Sequence, residues 1–248
     1  KIMTERFGAK KESSKLLRFH TQTGGSTLTA QQPLNNVVRV ALQSMAAVMG
    51  GTQSLHTNGY DEALGLPTEA AARIALRTQQ IIGYESGIAD TPDPLAGSYF
   101  VETLTDEVER LAWEYIERID AMGGAVDAIE AGFQMDEIEQ SAYEYTKSID
   151  DDERVIVGVN KFTVEGEGEP NVFPIDPSLA VGQLARLKKF KENRDHAKVT
   201  ALLEEIRVAA RGTDNILIPM KEALRAHATL GEVSDALRDV YGTYKPGR

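Results

Sequence analysis

The fold is decided by the stretch Lys15-Leu-Leu-Arg-Phe-His-Thr-Gln22, which ends at the chain-breaking pair Gly24-Gly25. Its short and partly alternating pattern predicts a β-strand. Asn35 to Met49 then has apolar residues at helical spacing and stops at Gly50-Gly51, which predicts a helix. A second short strand is predicted from Thr52 to Asn58. This order predicts an α/β fold with parallel strands.

The rest of the chain is predicted to be mostly helical. Thr68 is a predicted N-cap, with Glu69 in the first turn of a helix that continues to about Tyr84. A segment rich in Pro and Gly, from Asp90 to Gly97, looks like a connection between regions. We therefore expect a β/α region over residues 1–92 and a helical region over 93–248. Helical spacing beyond the connection predicts helices at Thr105–Met122, Val126–Ile149 (one or two), Asp176–Arg194, Ala197–Arg211 and Ile216–Tyr241 (broken at Gly231), with one short strand near 154–160.

The two predicted strands carry an unusually polar face. Residues two apart in a strand share a face, which groups Arg18, His20 and Gln22 on one side of the first strand. In the second strand Ser54, His56 and Asn58 share a face. Parallel strands covered by helices are usually apolar, and an unpaired buried polar group costs about 1–3 kcal/mol. Either the face lines a barrel through which something polar runs, or its residues satisfy one another in a small open sheet.

Composition excludes several classes of function. The net charge of −11 argues against a nucleic-acid surface, which needs clustered Lys and Arg. Without cysteine there are no disulfides or thiolate zinc sites, which is compatible with a reducing, cytoplasmic setting. No apolar run approaches the roughly 20 residues that span a bilayer. We expect no metal site, because His56 lacks a second His at i+4, and no acid–base pair at Asp61 and Glu62, which point in different directions.

Seven motifs in order along the chain resemble the methylmalonyl-CoA mutase family of adenosylcobalamin-dependent acyl-CoA mutases. They cover nearly the whole chain, and segments of this length rarely match by chance. The motifs are His20-Thr-Gln-Thr-Gly-Gly25, Gln31-Gln-Pro-Leu-Asn-Asn-Val-Val-Arg39, Gly50-Gly-Thr-Gln-Ser-Leu-His-Thr-Asn58, Asp61-Glu-Ala-Leu-Gly-Leu-Pro-Thr68, Ala75-Leu-Arg-Thr-Gln-Gln-Ile-Ile82, Asp93-Pro-Leu-Ala-Gly-Ser-Tyr99 and Val155-Ile-Val-Gly-Val-Asn-Lys161.

The resemblance implies the C-terminal part of the family's large (alpha) subunit. The family's large subunit has a (β/α)₈ barrel followed by a helical region, so this chain would supply about two βα units, which cannot close a barrel alone. An acyl-CoA that threads along the barrel axis would explain the polar face. The implied reaction is the radical carbon-skeleton rearrangement of methylmalonyl-CoA to succinyl-CoA, an isomerase activity that uses adenosylcobalamin (coenzyme B12).

The resemblance also assigns roles to individual residues. His20 and Gln22 would line the barrel near the substrate as catalytic, substrate-positioning groups, and Ser54 would contact the CoA portion. Asn58 and Glu62 would hold the adenosyl ribose. Gly25 would allow the corrin to approach closely, with Ala63 and Leu66 at the corrin edge.

Two departures from the family pattern imply missing partners. The residues that grip the substrate carboxylate belong to the earlier barrel half, and the motif whose histidine ligates cobalt is absent, since Asp195-His196 does not match it. We therefore expect the chain to be inactive without that N-terminal half and a separate cobalamin-binding small subunit, in a homo- or hetero-oligomer. The family's CoA-phosphate lysine aligns with Ser13, with Lys10, Lys11 and Lys15 nearby.

Two alternatives remain open. The substrate could be another acyl-CoA: isobutyryl-, ethylmalonyl- or 2-hydroxyisobutyryl-CoA. The chain could also be a non-catalytic assembly module of a split mutase, although such a module has no use for polar residues at Gln22, Asn58 and Glu62.

Overall fold

The computed structural model describes residues 1–166 and 172–245. The chain divides into two compact units, Lys1–Phe173 and Pro174–Arg248. Among the described residues, none of the helices is long and apolar enough to cross a membrane.

The first unit contains a β-α-β-α segment followed by helices. Its strands are β1 (His20–Gln22) and β2 (Ser54–His56), with 3-10 turns at Gly25–Thr27 and Ile88–Asp90. Its helices are α1 (Ile2–Glu5), α2 (Glu12–Lys15), α3 (Asn35–Met49), α4 (Glu69–Glu85), α5 (Tyr99–Ala121), α6 (Ala125–Glu130) and α7 (Phe133–Asp150). The helix predicted at 35–49 is confirmed at the same bounds, and α5 begins six residues before the predicted Thr105.

The two strands pair in parallel, as the sequence predicts. His20 lies opposite Ser54, and Gln22 lies opposite His56. The strands are shorter than predicted, because Lys15 instead ends α2 and pairing begins only where the Gln53 N–H donates to the Phe19 carbonyl at 3.2 Å. A parallel two-stranded sheet joined through α3 agrees with part of the predicted barrel, and the barrel itself remains a prediction.

Helices α3 and α4 pack against each other and each buries one face. The buried residues of α4 recur at helical spacing, which places them on a single stripe: Ala71, Ala75, Thr78 and Ile82. The predicted N-cap is confirmed, because the Thr68 side-chain oxygen accepts the Ala71 N–H at 3.2 Å. Helix α3 buries Asn36, Val40 and Ser44, so two of its three buried residues are polar.

The strand predicted near 154–160 is wrong. The segment instead forms a tight turn with one isolated bridge between Val157 and Lys161, and Gly158 has a positive φ of 84°. The Asn160 side chain closes the turn by accepting the Ile156 N–H at 2.7 Å and donating to the Ile149 carbonyl at 3.0 Å. A side chain that takes these backbone groups competes with a strand ladder, which explains the error.

The second unit is a helical bundle. Its helices are α8 (Pro177–Glu192), α9 (His196–Arg211), α10 (Leu217–Arg225) and α11 (Leu230–Tyr241). The predicted break near Gly231 lies instead at 226–229, because Thr229 and Glu232 form a capping box that starts a new helix there. A small apolar core joins α9, α10 and α11: Val199, Ile206, Ala223, Ala228, Val233 and Ala236.

One ion pair ties the α8–α9 connection to the start of α11. The Arg194 guanidinium donates to both Glu232 carboxylate oxygens, at 2.5 and 2.7 Å, and to the His227 carbonyl at 3.0 Å. Only 7% of the Arg194 side chain and 22% of the Glu232 side chain are exposed. These hydrogen bonds hold the pKa of Glu232 well below its usual range.

We predict that Glu232→Gln lowers the free energy of unfolding by about 1–2 kcal/mol at pH 7. Because the folded-state pKa of Glu232 is depressed, its contribution is fully present above the unfolded pKa of about 4.3 and is lost as pH falls through the folded pKa. Urea titrations from pH 7 to pH 3 should therefore show wild type and variant converging below about pH 4.3.

The matched control is Asp235→Asn, which removes the carboxylate of an exposed pair with Arg238 on the same helix. It should cost less than about 0.5 kcal/mol at any pH. An equal loss in both variants would contradict a special role for the Arg194–Glu232 pair.

Candidate functional site

The polar face predicted on the strands is present and its members contact one another. His20 Nδ1 lies 2.7 Å from Ser54 Oγ, across the register pair that joins β1 to β2. One step further along, Gln22 Nε2 donates to Asn58 Oδ1 at 3.0 Å. His20, Gln22, Ser54 and His56 are all exposed in the two-stranded sheet. The strands therefore present a row of polar groups that a ligand can reach.

Three of the predicted residues converge beyond the carboxyl ends of the strands: Gly25, Asn58 and Glu62. A Cβ atom placed on Gly25 would lie 2.9 Å from Asn58 Nδ2 and 3.5 Å from both Cγ and Oε1 of Glu62. Only a residue without a side chain allows this approach. The carboxyl ends of parallel strands are where α/β folds bind their ligands. We call these three residues the strand-end cluster.

Asn58 is held rigidly within the strand-end cluster. It is 2% exposed, its backbone N–H donates to Thr23 Oγ1 at 3.0 Å, and its Nδ2 donates to the Thr23 carbonyl at 3.1 Å. With Oδ1 accepting from Gln22, the amide orientation is determined, and one Nδ2 hydrogen and one Oδ1 lone pair remain available.

The turn after β2 separates two adjacent carboxylates, as the sequence predicts. Asp61 is 1% exposed and its Oδ2 accepts from the N–H and Oγ1 of Thr68, at 2.8 and 2.9 Å, so it supports the start of α4. Glu62 is exposed, and its carboxylate has no hydrogen-bond partner among residues 1–166 and 172–245. The two carboxylates therefore differ: Asp61 stabilises the start of α4, and Glu62 is free to accept a hydrogen bond from a ligand.

These residues fit the group that the resemblance implies. A free carboxylate beside a fixed amide offers acceptors for two neighbouring hydroxyls, as a ribose has. Gly25 leaves backbone accessible for close approach, and the next turn exposes the apolar residues Ala63 and Leu66, the latter 55% exposed. Within the described part of the chain, no group of three or more His, Asp or Glu side chains could hold a metal ion.

The other sequence candidates belong to other elements of the chain. Ser13 and Lys15 belong to the short helix α2, where Lys15 pairs with Glu12 at 2.7 Å. Asp195 caps α9 by accepting the Lys198 N–H, and His196 begins that helix in the second unit. The CoA-phosphate lysine therefore stays a prediction.

The sequence analysis did not identify the residues that hold Asn58 and the turn with Glu62 in place. Thr23 anchors Asn58, while Asn36 and Arg39 of α3 form hydrogen bonds behind the turn that carries Glu62. The available signal was the presence of Asn36 and Arg39 on a helix whose spacing predicts one buried face. Polar groups placed in a buried stretch need partners, and here the partners are backbone atoms near the site.

A parallel β-α-β unit with a glycine-backed polar cluster at the strand ends defines an α/β protein with a candidate ligand site. The family model described as methylmalonyl-CoA mutase matches residues 1–243. The chain belongs to the methylmalonyl-CoA mutase family.

Curated relatives agree along almost the whole chain. It is 45% identical to the 2-hydroxyisobutanoyl-CoA mutase large subunit of Aquincola tertiaricarbonis over 99% of this chain and 44% of that protein. It is 45% identical to the methylmalonyl-CoA mutase of Rhizobium meliloti over 98% of this chain. Identity to the methylmalonyl-CoA mutase of Escherichia coli is 47% over 96% of this chain. The chain spans 34% of each of these last two proteins.

We predict that Gly25→Ala destabilises the first unit by about 1 kcal/mol, because the new methyl group overlaps the buried Asn58 amide. Gly24→Ala is the matched control, since its Cβ would meet neighbours only at 3.7 Å or beyond. Chemical unfolding of both variants measures the difference. Equal stability would contradict the close approach of Gly25 and Asn58.

Proposed function

We propose that this chain is the C-terminal part of the large subunit of an adenosylcobalamin-dependent acyl-CoA mutase, an isomerase that converts methylmalonyl-CoA to succinyl-CoA. The observation that carries the proposal is the strand-end cluster. In this chain Gly25, Asn58 and Glu62 lie together, with a free carboxylate, at the carboxyl ends of two parallel strands. Family membership supports the class of reaction, and the strand-end cluster supports this part of the chain as the proposed cofactor site.

In this proposal residues 1–92 complete a (β/α)₈ barrel whose other strands come from the N-terminal half of the subunit. Residues 93–248 form the helical extension. The polar row from His20 to Asn58 then faces the barrel axis, where an acyl-CoA threads. This arrangement explains why these strands are polar where barrel strands usually carry branched aliphatic residues.

The substrate residues act by orientation. Ser54 holds one nitrogen of the His20 ring, at 2.7 Å, which leaves the other nitrogen directed to the acyl-CoA. Asn58 holds Gln22 through its Nε2, which leaves the Gln22 carbonyl oxygen for the substrate. Fixed polar groups of this kind position the reacting atoms. Ser54 in turn contacts the CoA portion.

The cofactor residues bind and shield. Asn58 and Glu62 would accept hydrogen bonds from the ribose hydroxyls of the adenosyl group, and Gly25, Ala63 and Leu66 would line the place of the corrin. When bound, adenosylcobalamin supplies the radical chemistry, and the protein contributes orientation and exclusion of water. The partners are the N-terminal half, a separate cobalamin-binding small subunit and further copies in a homo- or hetero-oligomer. We place the assembly in the cytoplasm.

A second substrate is favoured by one comparison. The relative from Aquincola tertiaricarbonis is named for 2-hydroxyisobutanoyl-CoA and is as similar to this chain as the methylmalonyl-CoA mutases are. The residues that would distinguish a carboxylate from a hydroxyl on the substrate belong, in the proposal, to the N-terminal half. The same assembly should therefore be assayed with 2-hydroxyisobutyryl-, isobutyryl- and ethylmalonyl-CoA.

The test combines this chain with its N-terminal half, a cobalamin-binding subunit and adenosylcobalamin, and follows methylmalonyl-CoA to succinyl-CoA. We predict that Glu62→Ala and Gln22→Ala each lower kcat/KM by at least about 100-fold, because each removes a group that positions a reactant. Glu85→Ala, an exposed glutamate at the end of α4, is the control and should retain activity. The chain alone should show no turnover.

The outcomes of this assay distinguish the hypotheses. Turnover of another acyl-CoA, but not of methylmalonyl-CoA, would retain the mechanism and change the substrate. Turnover that both site variants preserve would contradict the assigned residues. Failure of the assembly with every acyl-CoA would favour the alternative of a non-catalytic assembly module.

A further inference from the structure

We propose that Asn36, in the first turn of α3, is a positioning residue that sets the location of Glu62 by holding the backbone between Asn58 and Glu62. The inference rests on the proposed function, because it assigns the purpose of that location to cofactor binding. Asn36 contacts neither of the two site residues through its side chain and acts on them through the Tyr60 carbonyl.

The Asn36 amide is buried and fully used. It is 0% exposed, and its Nδ2 donates to the Thr29 and Tyr60 carbonyls, both at 2.8 Å. Its Oδ1 accepts from the Thr29 N–H at 3.1 Å and from Arg39 Nη1 at 2.7 Å. Two donated and two accepted hydrogen bonds are the ordinary capacity of a side-chain amide. Such a group has one low-energy orientation and holds its partners in place.

Arg39 determines which way the amide faces. A guanidinium only donates, so the atom that it contacts must be the Asn36 oxygen, and Nδ2 must then face Tyr60. Arg39 is itself directed by hydrogen bonds to Thr29 Oγ1 at 3.0 Å and to the Val157 carbonyl at 2.8 Å. The turn over 154–160 therefore supports the site through Arg39 and Asn36.

The bond to Tyr60 matters because it holds the backbone of the turn that carries Glu62. The Glu62 carboxylate has no hydrogen-bond partner among the described residues, so the backbone of the turn decides where the carboxylate stands. The turn forms hydrogen bonds of its own, including the Glu62 N–H to the Gly59 carbonyl at 3.2 Å, and side-chain hydrogen bonds attach it to the two helices. Asn36 binds the Tyr60 carbonyl on one side of Asp61, and the Asp61 carboxylate binds Thr68 at the start of α4 on the other. Glu62 is thus placed by α3 and α4 together.

The structure also offers a matched control on the same helix. Ser44 is 0% exposed like Asn36, but its hydroxyl donates to the Val40 carbonyl of α3 itself, at 2.7 Å. Ser44→Ala removes a buried hydrogen bond from α3 without touching the turn. Any effect of Asn36→Ala that Ser44→Ala does not share therefore belongs to the contact with the turn.

The experiment uses the reconstituted assembly and adenosylcobalamin as the probe. We expect Asn36→Ala to raise the half-saturating concentration of adenosylcobalamin about tenfold, on the scale of one hydrogen bond, and to leave the KM of the acyl-CoA unchanged. Ser44→Ala should change both values less than about twofold. The double variant of Asn36→Ala with Glu62→Ala should match Glu62→Ala alone, because a residue that acts through Glu62 has no effect once Glu62 is removed.

Two results would overturn the inference. One is additive effects in the double variant. The other is a lower kcat for Asn36→Ala with the half-saturating concentration unchanged, which is the signature of a smaller folded fraction.

Hydrogen exchange separates this inference from the proposed function. In the chain without cofactor, Asn36→Ala should speed amide exchange over residues 59–65, and Ser44→Ala should not. If the wild-type assembly shows no turnover but exchange behaves as expected, the proposed function fails and the hold of Asn36 on the turn stands. If wild type turns over and exchange at 59–65 is unchanged in Asn36→Ala, the inference fails and the proposed function stands.

Discussion

The parallel register of β1 with β2 is the constraint on which the site depends. It sets His20 opposite Ser54 and Gln22 opposite His56, and it thereby brings the chain after each strand to the same edge. A shift by one residue would turn every side chain of one strand to the opposite face, because strand side chains alternate. The His20–Ser54 and Gln22–Asn58 contacts would both be lost. Two hydrogen-bonded pairs of polar side chains therefore stabilise the register that the site requires.

Buried polar side chains hold the loops that follow the two strands at that edge. Asn36, Asn58 and Asp61 are each no more than 2% exposed, and each binds backbone atoms of the loops after the strands. A buried polar group that loses its partner costs about 1–3 kcal/mol, so these contacts resist movement more than apolar contacts of the same area would. In contrast Glu62, the group that we propose to bind a ligand, makes no such contact. The site thus joins a rigid frame to one free carboxylate.

Polar contacts also stabilise the backbone of the second unit. The ion pair of Arg194 and Glu232 joins the α8–α9 connection to the start of α11. The capping box of Thr229 and Glu232 begins α11 at the same place. The sequence analysis placed a break at Gly231, since glycine is a common helix breaker. The capping box, and not Gly231, determines where α11 begins, because a glycine in the first turn leaves the helical hydrogen bonds intact.

Local signals in the sequence alone determined helices α3 and α4, the Thr68 cap, the parallel strands and the polar face, because period and capping depend on neighbours a few residues apart. The resemblance to the family predicted roles for Gly25, Asn58 and Glu62, and those roles stay predictions. Only the tertiary structure decided how they meet: that Gly25 abuts Asn58, that Asp61 is buried while Glu62 is free, and that Asn36 supports the turn between them. It also replaced the strand predicted at 154–160 by a turn that Asn160 closes. The reason is physical: the Gly25–Asn58 and Asn36–Tyr60 contacts join residues more than twenty positions apart, and many of the partners in the site are backbone atoms that carry no signature in the sequence.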